Sequence, residues 1–240
     1  KKCSTSSTSS TSSDSSDSTR IQRTLKISIM EIYLEKVRDL LDVKHGTKEE
    51  VKLDVRQGSA GNFVPGLTEK EVSTQQDIDD LIEFANKRRS QAATDCNTHS
   101  SRSHLIMQIT CASYDRISKQ TSLGKLHLID LAGSERIQQS QVEGQQLKET
   151  LSINKSLSAL SEVIAARASK RAHTPYRNST LTYLLQDALS GDSKMTFIVC
   201  VSAAVLNASE TFASLSFAAR AVTVEQTKSG NKHITNSPAK

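Results

Sequence analysis

The residues best placed to do chemistry stand at the end of an apolar run, Leu126 to Glu135, which reads LHLIDLAGSE. Leu126, Leu128 and Ile129 lead to an acid, Asp130, after which Ala132 and Gly133 offer almost no side chain. A buried parallel strand ending this way delivers a carboxylate to a loop whose backbone a ligand can approach closely. In phosphoryl-transfer proteins such an acid holds the hydration shell of Mg2+, and a glycine N–H just beyond it reaches the γ-phosphate. An ordinary strand-to-loop junction has the same pattern, so this run alone does not decide the chemistry.

Upstream, Asn97 to His104 reads NTHSSRSH. NxxSSRSH followed by DLAGSE resembles switch I and switch II of kinesin motor domains. The likeness extends from about Thr24 to Ala221, through LKETLSINKSLSAL (147–160) and HTPYRNSTLTYLLQDALSG (173–191). SQVEG (140–144) with YRNSTLTYLLQ and SINKSLSAL looks most like the kinesin-14 group. The resemblance implies an α/β fold of P-loop NTPase type, a partial kinesin motor fold with a central mixed sheet flanked by helices and its first strands missing. It implies ATP and Mg2+ as cofactors, with Asn97, Ser100, Ser101, Asp130 and Gly133 at the nucleotide. In that assignment Ser100 and Ser101 supply hydroxyls for Mg2+ and the attacking water, Asp130 holds the metal through water, and the Gly133 N–H senses the γ-phosphate. Arg102 and Glu135 match the pair that closes a salt bridge between the switches, a role suited to a guanidinium and a carboxylate that can pair in bidentate fashion. Two solvated charges would be the plain alternative for that pair.

The same resemblance implies a microtubule partner. The helix after switch II, the loop beyond it and the next helix would meet tubulin through Lys148, Lys155, Arg171, His173 and Arg177, making binding salt-sensitive. Three departures stand out: Leu34 where the family usually has asparagine, Thr180 where it commonly has lysine, and Ser202-Ala203 where it has Ser-Pro. Dimerisation, as homo- or heterodimer, would run through regions outside these residues, and the location would be cytoplasmic, on the microtubule cytoskeleton.

One part is absent from the sequence. A phosphate-cradling loop needs GxxxxGK[ST], and the Gly124-Lys125 dipeptide is followed by leucine within a strand approach. Two readings follow: the C-terminal part of an ATP-driven motor, which the intact switch residues favour, or a motorless relative acting as a nucleotide-independent microtubule adaptor. Either way, two central strands, one of them Met195 to Val201, are expected to lose a common neighbour and expose backbone and apolar faces. The chain alone is expected neither to hydrolyse ATP nor to fold cooperatively.

Composition sets outer limits. The 240 residues carry a net charge of +5 with 36% hydrophobic and 4% aromatic content, low for one fully packed domain. A basic balance suits an acidic partner such as tubulin, while nucleic-acid binding lacks any aromatic interleaving or recognition motif. Cys3, Cys96, Cys111 and Cys200 are scattered, without CxxC spacing, which points to a reduced cytosolic protein with neither a zinc site nor a disulfide framework. No window is apolar enough to span a membrane.

The elements follow from periodicity. Residues 1–23 form a Ser/Thr-rich segment, with 14 Ser or Thr and two Asp between positions 4 and 19, and are expected to be disordered. The motor-like domain runs over 24–224, and 225–240 is expected to be a flexible tail. Leu25, Ile27 and Ile29 alternate as a strand, after which Val37, Leu40 and Leu41 predict a helical turn. Val51, Leu53 and Val55 lead into a hairpin turned at Gly58 to Asn62. Ser73 with Gln76 predicts a capping box for a helix facing inward through Ile78, Leu81, Ile82 and Ala85 and ending in Lys87, Arg88 and Arg89, where the helix dipole favours cations. A long helix from Gln145 would bury Leu147, Leu151, Leu157, Leu160 and Ile164. A further helix is capped at Ser179, and a last one is capped by Asn207 with Glu210 and turned inward through Phe212, Leu215 and Ala219. His104 and His127 are expected to pack in or beside strands rather than act as bases.

Overall fold

β-Branched and aliphatic residues at alternating positions make the longest strand, β1 (Ile21–Tyr33), and the sheet is built outward from it. The computed structural model describes residues 20–43, 53–58, 61–91, 99–134, 144–190, 193–224 and 233–234. The Ser/Thr-rich segment, Val51, Asn97 and Glu135 lie outside the described residues, as do Cys3 and Cys96. β1 pairs with β2 (Lys36–Asp39), β5 (Lys70–Val72) and β6 (His104–Asp115), while β3 (Arg56–Gly58) and β4 (Gly61–Phe63) form a separate hairpin. β6 pairs along its whole length with β7 (Gln120–Asp130), and β8 (His233–Ile234), in the segment expected to be a loose tail, pairs with Thr121 and Ser122.

Side chains on β1 alternate between two cores. Ile27 and Ile29 pack with Ala85, Leu81 and Ile82 of helix α1 (Gln75–Gln91). Met30 and Ile32 face the other way, onto Leu160, Val163 and Ile164 of helix α2 (Gly144–Ala168) and Leu181 and Leu184 of helix α3 (Thr180–Leu184). The sheet therefore lies between α1 on one side and α2 and α3 on the other. Helix α4 (Gln186–Leu189) follows a break at Leu185, and Ser179 caps α3 by accepting from the Thr182 N–H at 3.1 Å.

Several expectations need correcting. Asp130 does not end a buried parallel strand. All described ladders are antiparallel, because the turn Arg116–Lys119 joins β6 and β7 as a hairpin. Leu126 and Leu128 are 52% and 50% exposed, since Leu123–Asp130 has a ladder partner only on the β6 side among the described residues. Val37 belongs to strand β2, not to a helical turn, because Leu34 and Glu35 turn the chain at φ 51° and 62°. Thr74 and Asp77 make the box at the start of α1: the Asp77 N–H donates to Thr74 Oγ1, and the Ser73 and Thr74 N–H groups donate to the Asp77 carboxylate. A carboxylate answers two amides where Gln76 would answer one; Gln76 instead bonds to Asp80.

Leu151 of α2 is exposed. Helix α5 (Ala208–Val222) starts without a side-chain cap, because Asn207 Nδ2 donates to Ser202 Oγ. That helix packs through Phe217 and Ala221, with Phe217 edge-on to Phe197 at 5.4 Å, while Phe212 and Leu215 face solvent. Among the described residues, Met195 to Val201 forms no ladder, and Ile198 is 90% exposed.

Candidate functional site

β6 begins and β7 ends at the same edge of the sheet, Leu105 opposite Asp130, so the turn before β6 and the loop after β7 are neighbours. A 3-10 turn, His99–Arg102, carries the SSR residues. The Gly133 N–H donates to the Ser101 carbonyl at 2.9 Å, joining the two motif loops directly. Ser101, Arg102, Asp130 and Gly133 are thus brought together as the sequence predicts. Ser100 lies in the same turn, while Asn97 and Glu135 fall outside the described residues.

Arg102 is held from below by a helix. Its Nη1 donates to Glu149 Oε2 at 2.5 Å, and the other Glu149 oxygen accepts from the Tyr33 hydroxyl at 2.5 Å. Glu149 is buried in the first turns of α2. With both oxygens bonded, it ties the turn before β6 to that helix and to the end of β1.

Asp130 has a second neighbour that sequence reasoning did not place. Arg89, buried in the last turn of α1, donates from Nη1 to Asp130 Oδ2 at 3.4 Å and from Nη2 to the Ser103 carbonyl at 3.0 Å. Its Nε donates to Glu31 Oε1 at 3.3 Å. Glu31 is fully buried on β1 and also accepts from the Ser103 hydroxyl at 2.6 Å and pairs with Arg38 at 3.5 Å. A buried carboxylate persists only when cations and donors surround it, and here two guanidiniums and a hydroxyl do so. The basic cluster 87–89 gave the only sequence sign of this, and nothing local distinguished Arg89 from Arg88.

His104 is buried. Its Nδ1 receives the Ala132 N–H at 3.0 Å, and its Nε2 lies 2.7 Å from Ser156 Oγ on α2. Burial, aided by the Arg89 charge, lowers its pKa to about 4, so the ring is neutral at physiological pH. Burial also lowers that of His127, whose Nδ1 has no hydrogen-bond partner among the described residues. Both histidines pack at strands, as expected.

The expected track-facing cations are all exposed: Lys148 and Lys155 on α2, Arg171 and His173 in the loop after it, and Arg177 in the 3-10 turn Tyr176–Asn178. Lys148 and Lys155, seven residues apart, share a helix face. Lys155 lies 3.7 Å from Glu35, and the Arg177 guanidinium sits 5.3 Å from the Tyr183 ring centre. Thr180, where lysine was expected, bonds through its hydroxyl to the Glu35 carbonyl at 2.8 Å.

The donor chemistry suits Mg2+ held through water. The Asp130 side chain is 70% exposed, and an exposed hard oxygen donor matches a metal that keeps several waters. Among the described residues no group of three or more His, Cys, Asp or Glu gathers to bind a metal by protein ligands alone.

Comparison with known proteins agrees with this geometry. A family model described as the kinesin motor domain matches residues 5–224. The kinesin-like protein KIN-14R of Arabidopsis thaliana is 43% identical over 206 residues, which is 85% of this chain but 19% of that protein. A solved fast kinesin superposes with a TM-score of 0.80 at 38% identity, covering 93% of this chain and 62% of that one. A KIF14 dimer solved with AMP-PNP in complex with a microtubule matches with a TM-score of 0.80 at 35% identity, covering 90% and 63%. The chain thus spans about a fifth of the length of the curated relative and under two thirds of the solved motors. Its switch motifs, their meeting at one sheet edge and these likenesses place the chain in the kinesin motor domain family, with kinesin-14 proteins among its relatives.

Proposed function

We propose that this chain carries the nucleotide-sensing and track-binding part of a microtubule-based motor, in which ATP hydrolysis is coupled to microtubule binding and movement. The observation that carries the reading is the 2.9 Å bond from the Gly133 N–H to the Ser101 carbonyl. It holds the two switch loops against each other through the one amide the family pattern assigns to the γ-phosphate. Arrival of that phosphate would give the amide a charged acceptor in place of a neutral carbonyl and so exchange this bond for one to the phosphate.

In this reading Ser100, Ser101 and Asn97 would line the phosphate side, and Asp130 and Ser101 would hold Mg2+, Asp130 through water. The metal supplies charge neutralisation on the phosphates. Arg89, donating to Asp130, fixes the direction of its carboxylate. Arg102 would exchange between Glu149 and Glu135 as the loops close. Motion of the loops reaches α2, whose Lys148 and Lys155, with Arg171, His173 and Arg177 beyond it, face the acidic tubulin surface.

Cosedimentation with microtubules at low and high salt, and with ADP or AMP-PNP for the chain joined to a phosphate-cradling loop of a kinesin, tests this directly. Binding should weaken with salt and be tighter with AMP-PNP. A folded sample that fails to pellet at low salt overturns the track-binding reading. Pelleting that ignores nucleotide leaves the adaptor reading in its place.

A further inference from the structure

One imidazole stands between the loop after β7 and helix α2, and its protonation is fixed by its neighbours. An amide N–H can only donate, so the 3.0 Å contact from Ala132 N makes His104 Nδ1 an acceptor. A neutral ring then carries its single proton on Nε2, which donates to Ser156 Oγ at 2.7 Å. The Ser156 hydroxyl in turn donates to the Ile153 carbonyl at 2.8 Å, one turn back on the same helix. The opposite tautomer would set an N–H against the Ala132 N–H.

Ala132, His104 and Ser156 are all buried, so no bulk water stands ready to replace any of these bonds. Ala132 lies between Asp130 and Gly133, and Ser156 directly follows Lys155. The chain of bonds therefore runs from the candidate phosphate-sensing loop to the helix with the exposed cations. It reaches α2 two turns beyond Glu149, where Arg102 makes the other attachment.

We propose that His104 is a positioning residue: held as the Nε2–H tautomer, it ties the Ala132 backbone to Ser156 of α2, so that displacement of the loop after β7 is passed to that helix. The tie itself rests on geometry, while its use in a motor rests on the function proposed above, and the measurements separate the two.

Nitrogen NMR of the 240-residue chain labelled at histidine reads the tautomer, and amide exchange reads the Ala132 bond. His104 should show a protonated Nε2 and a bare Nδ1 between about pH 6 and 8. His104→Phe, which keeps the bulk and loses both bonds, should speed Ala132 exchange about tenfold. Ser156→Ala and His104→Asn, whose amide oxygen can sit where Nδ1 does, should stay within about threefold of the parent at Ala132. In the chain joined to a phosphate-cradling loop of a kinesin, these two should nonetheless shrink the ratio of microtubule Kd values in ADP and AMP-PNP at least about fivefold. An Nδ1–H tautomer, or unchanged Ala132 exchange in the Phe variant, overturns the tie. A full nucleotide ratio in Ser156→Ala overturns the coupling. If the parent chain joined to that loop itself shows no nucleotide ratio, the proposed function fails, and the tie is judged by tautomer and exchange alone.

Discussion

At the scale of single residues, the candidate site is a set of charges held by partners far away in sequence. Arg102 and Glu149 are 47 positions apart, with side chains 17% and 11% exposed, so their pairing is screened less than a surface ion pair. A double-mutant cycle over Arg102→Ala and Glu149→Ala, read by local opening free energies from amide exchange, which needs no cooperative global transition, should give a coupling of about 1–2 kcal/mol, above the range for exposed pairs. A value near zero would make the contact incidental. His104 makes a second prediction. Its pKa is about 4 in the folded chain against 6.5 for a free imidazole, chiefly because burial disfavours the charged ring, with Arg89 adding to this and Asp130 opposing it. The unfolded chain binds more protons in that interval, so this contribution to stability is complete above about pH 6.5 and is lost as pH falls toward 4. On the order of 3 kcal/mol is at stake, and His104→Phe should flatten the stability curve over that interval. SSRSH and DLAG were legible because short motifs carry their own chemistry. Glu149 and Arg89 were not, because a buried carboxylate or guanidinium is marked by what folds around it.

At the scale of elements, the β1–β2 hairpin shows how local sequence misleads and then explains itself. EKVRDLL has apolar residues at helical spacing, yet Leu34 and Glu35 both take left-handed backbone, the geometry of a tight hairpin turn. The resemblance places asparagine where Leu34 stands, and asparagine tolerates that conformation while leucine is strained in it. Leu34→Asn should therefore raise stability by about 0.5–1 kcal/mol, seen as a higher Tm, without moving Glu35, whose carboxylate receives the Thr180 N–H at 2.9 Å. A lower Tm would mean that Leu34 packing outweighs turn strain. Other elements were legible where one signal dominated: the inward stripe of α1, the Ser179 cap, and the long α2. They were misread where two signals competed. Thr74–Asp77 won over Ser73–Gln76, and Asn207 bonded back to Ser202 rather than forward into α5.

At the scale of the molecule, the described sheet ends at β2 on one side and, over Leu123–Asp130, at β7 on the other. Strands buried on both faces read as continuous apolar runs, and LHLID reads that way although β7 borders solvent. Natural edges carry lysine, proline or bulges that discourage pairing with a second chain, and between Leu126 and Leu131 there is none of these residues. Leu126 and Leu128 lie on one face, Ile129 and Leu131 include the other, and all four are exposed. Ile198, Val205, Leu206 and Phe212 add further exposed apolar surface. A surface of this kind is expected to associate through its edge at modest concentration and to bind apolar dyes. Leu126 and Leu128 already keep about half their area in water, so replacing both with lysine forfeits little burial and places two charges along the free ladder. The L126K/L128K chain should scatter less light and bind less dye than its parent at equal concentration, with an unchanged far-ultraviolet circular dichroism spectrum. If association persists undiminished, it runs through the α5 side instead, and Phe212→Lys is then the substitution that should relieve it.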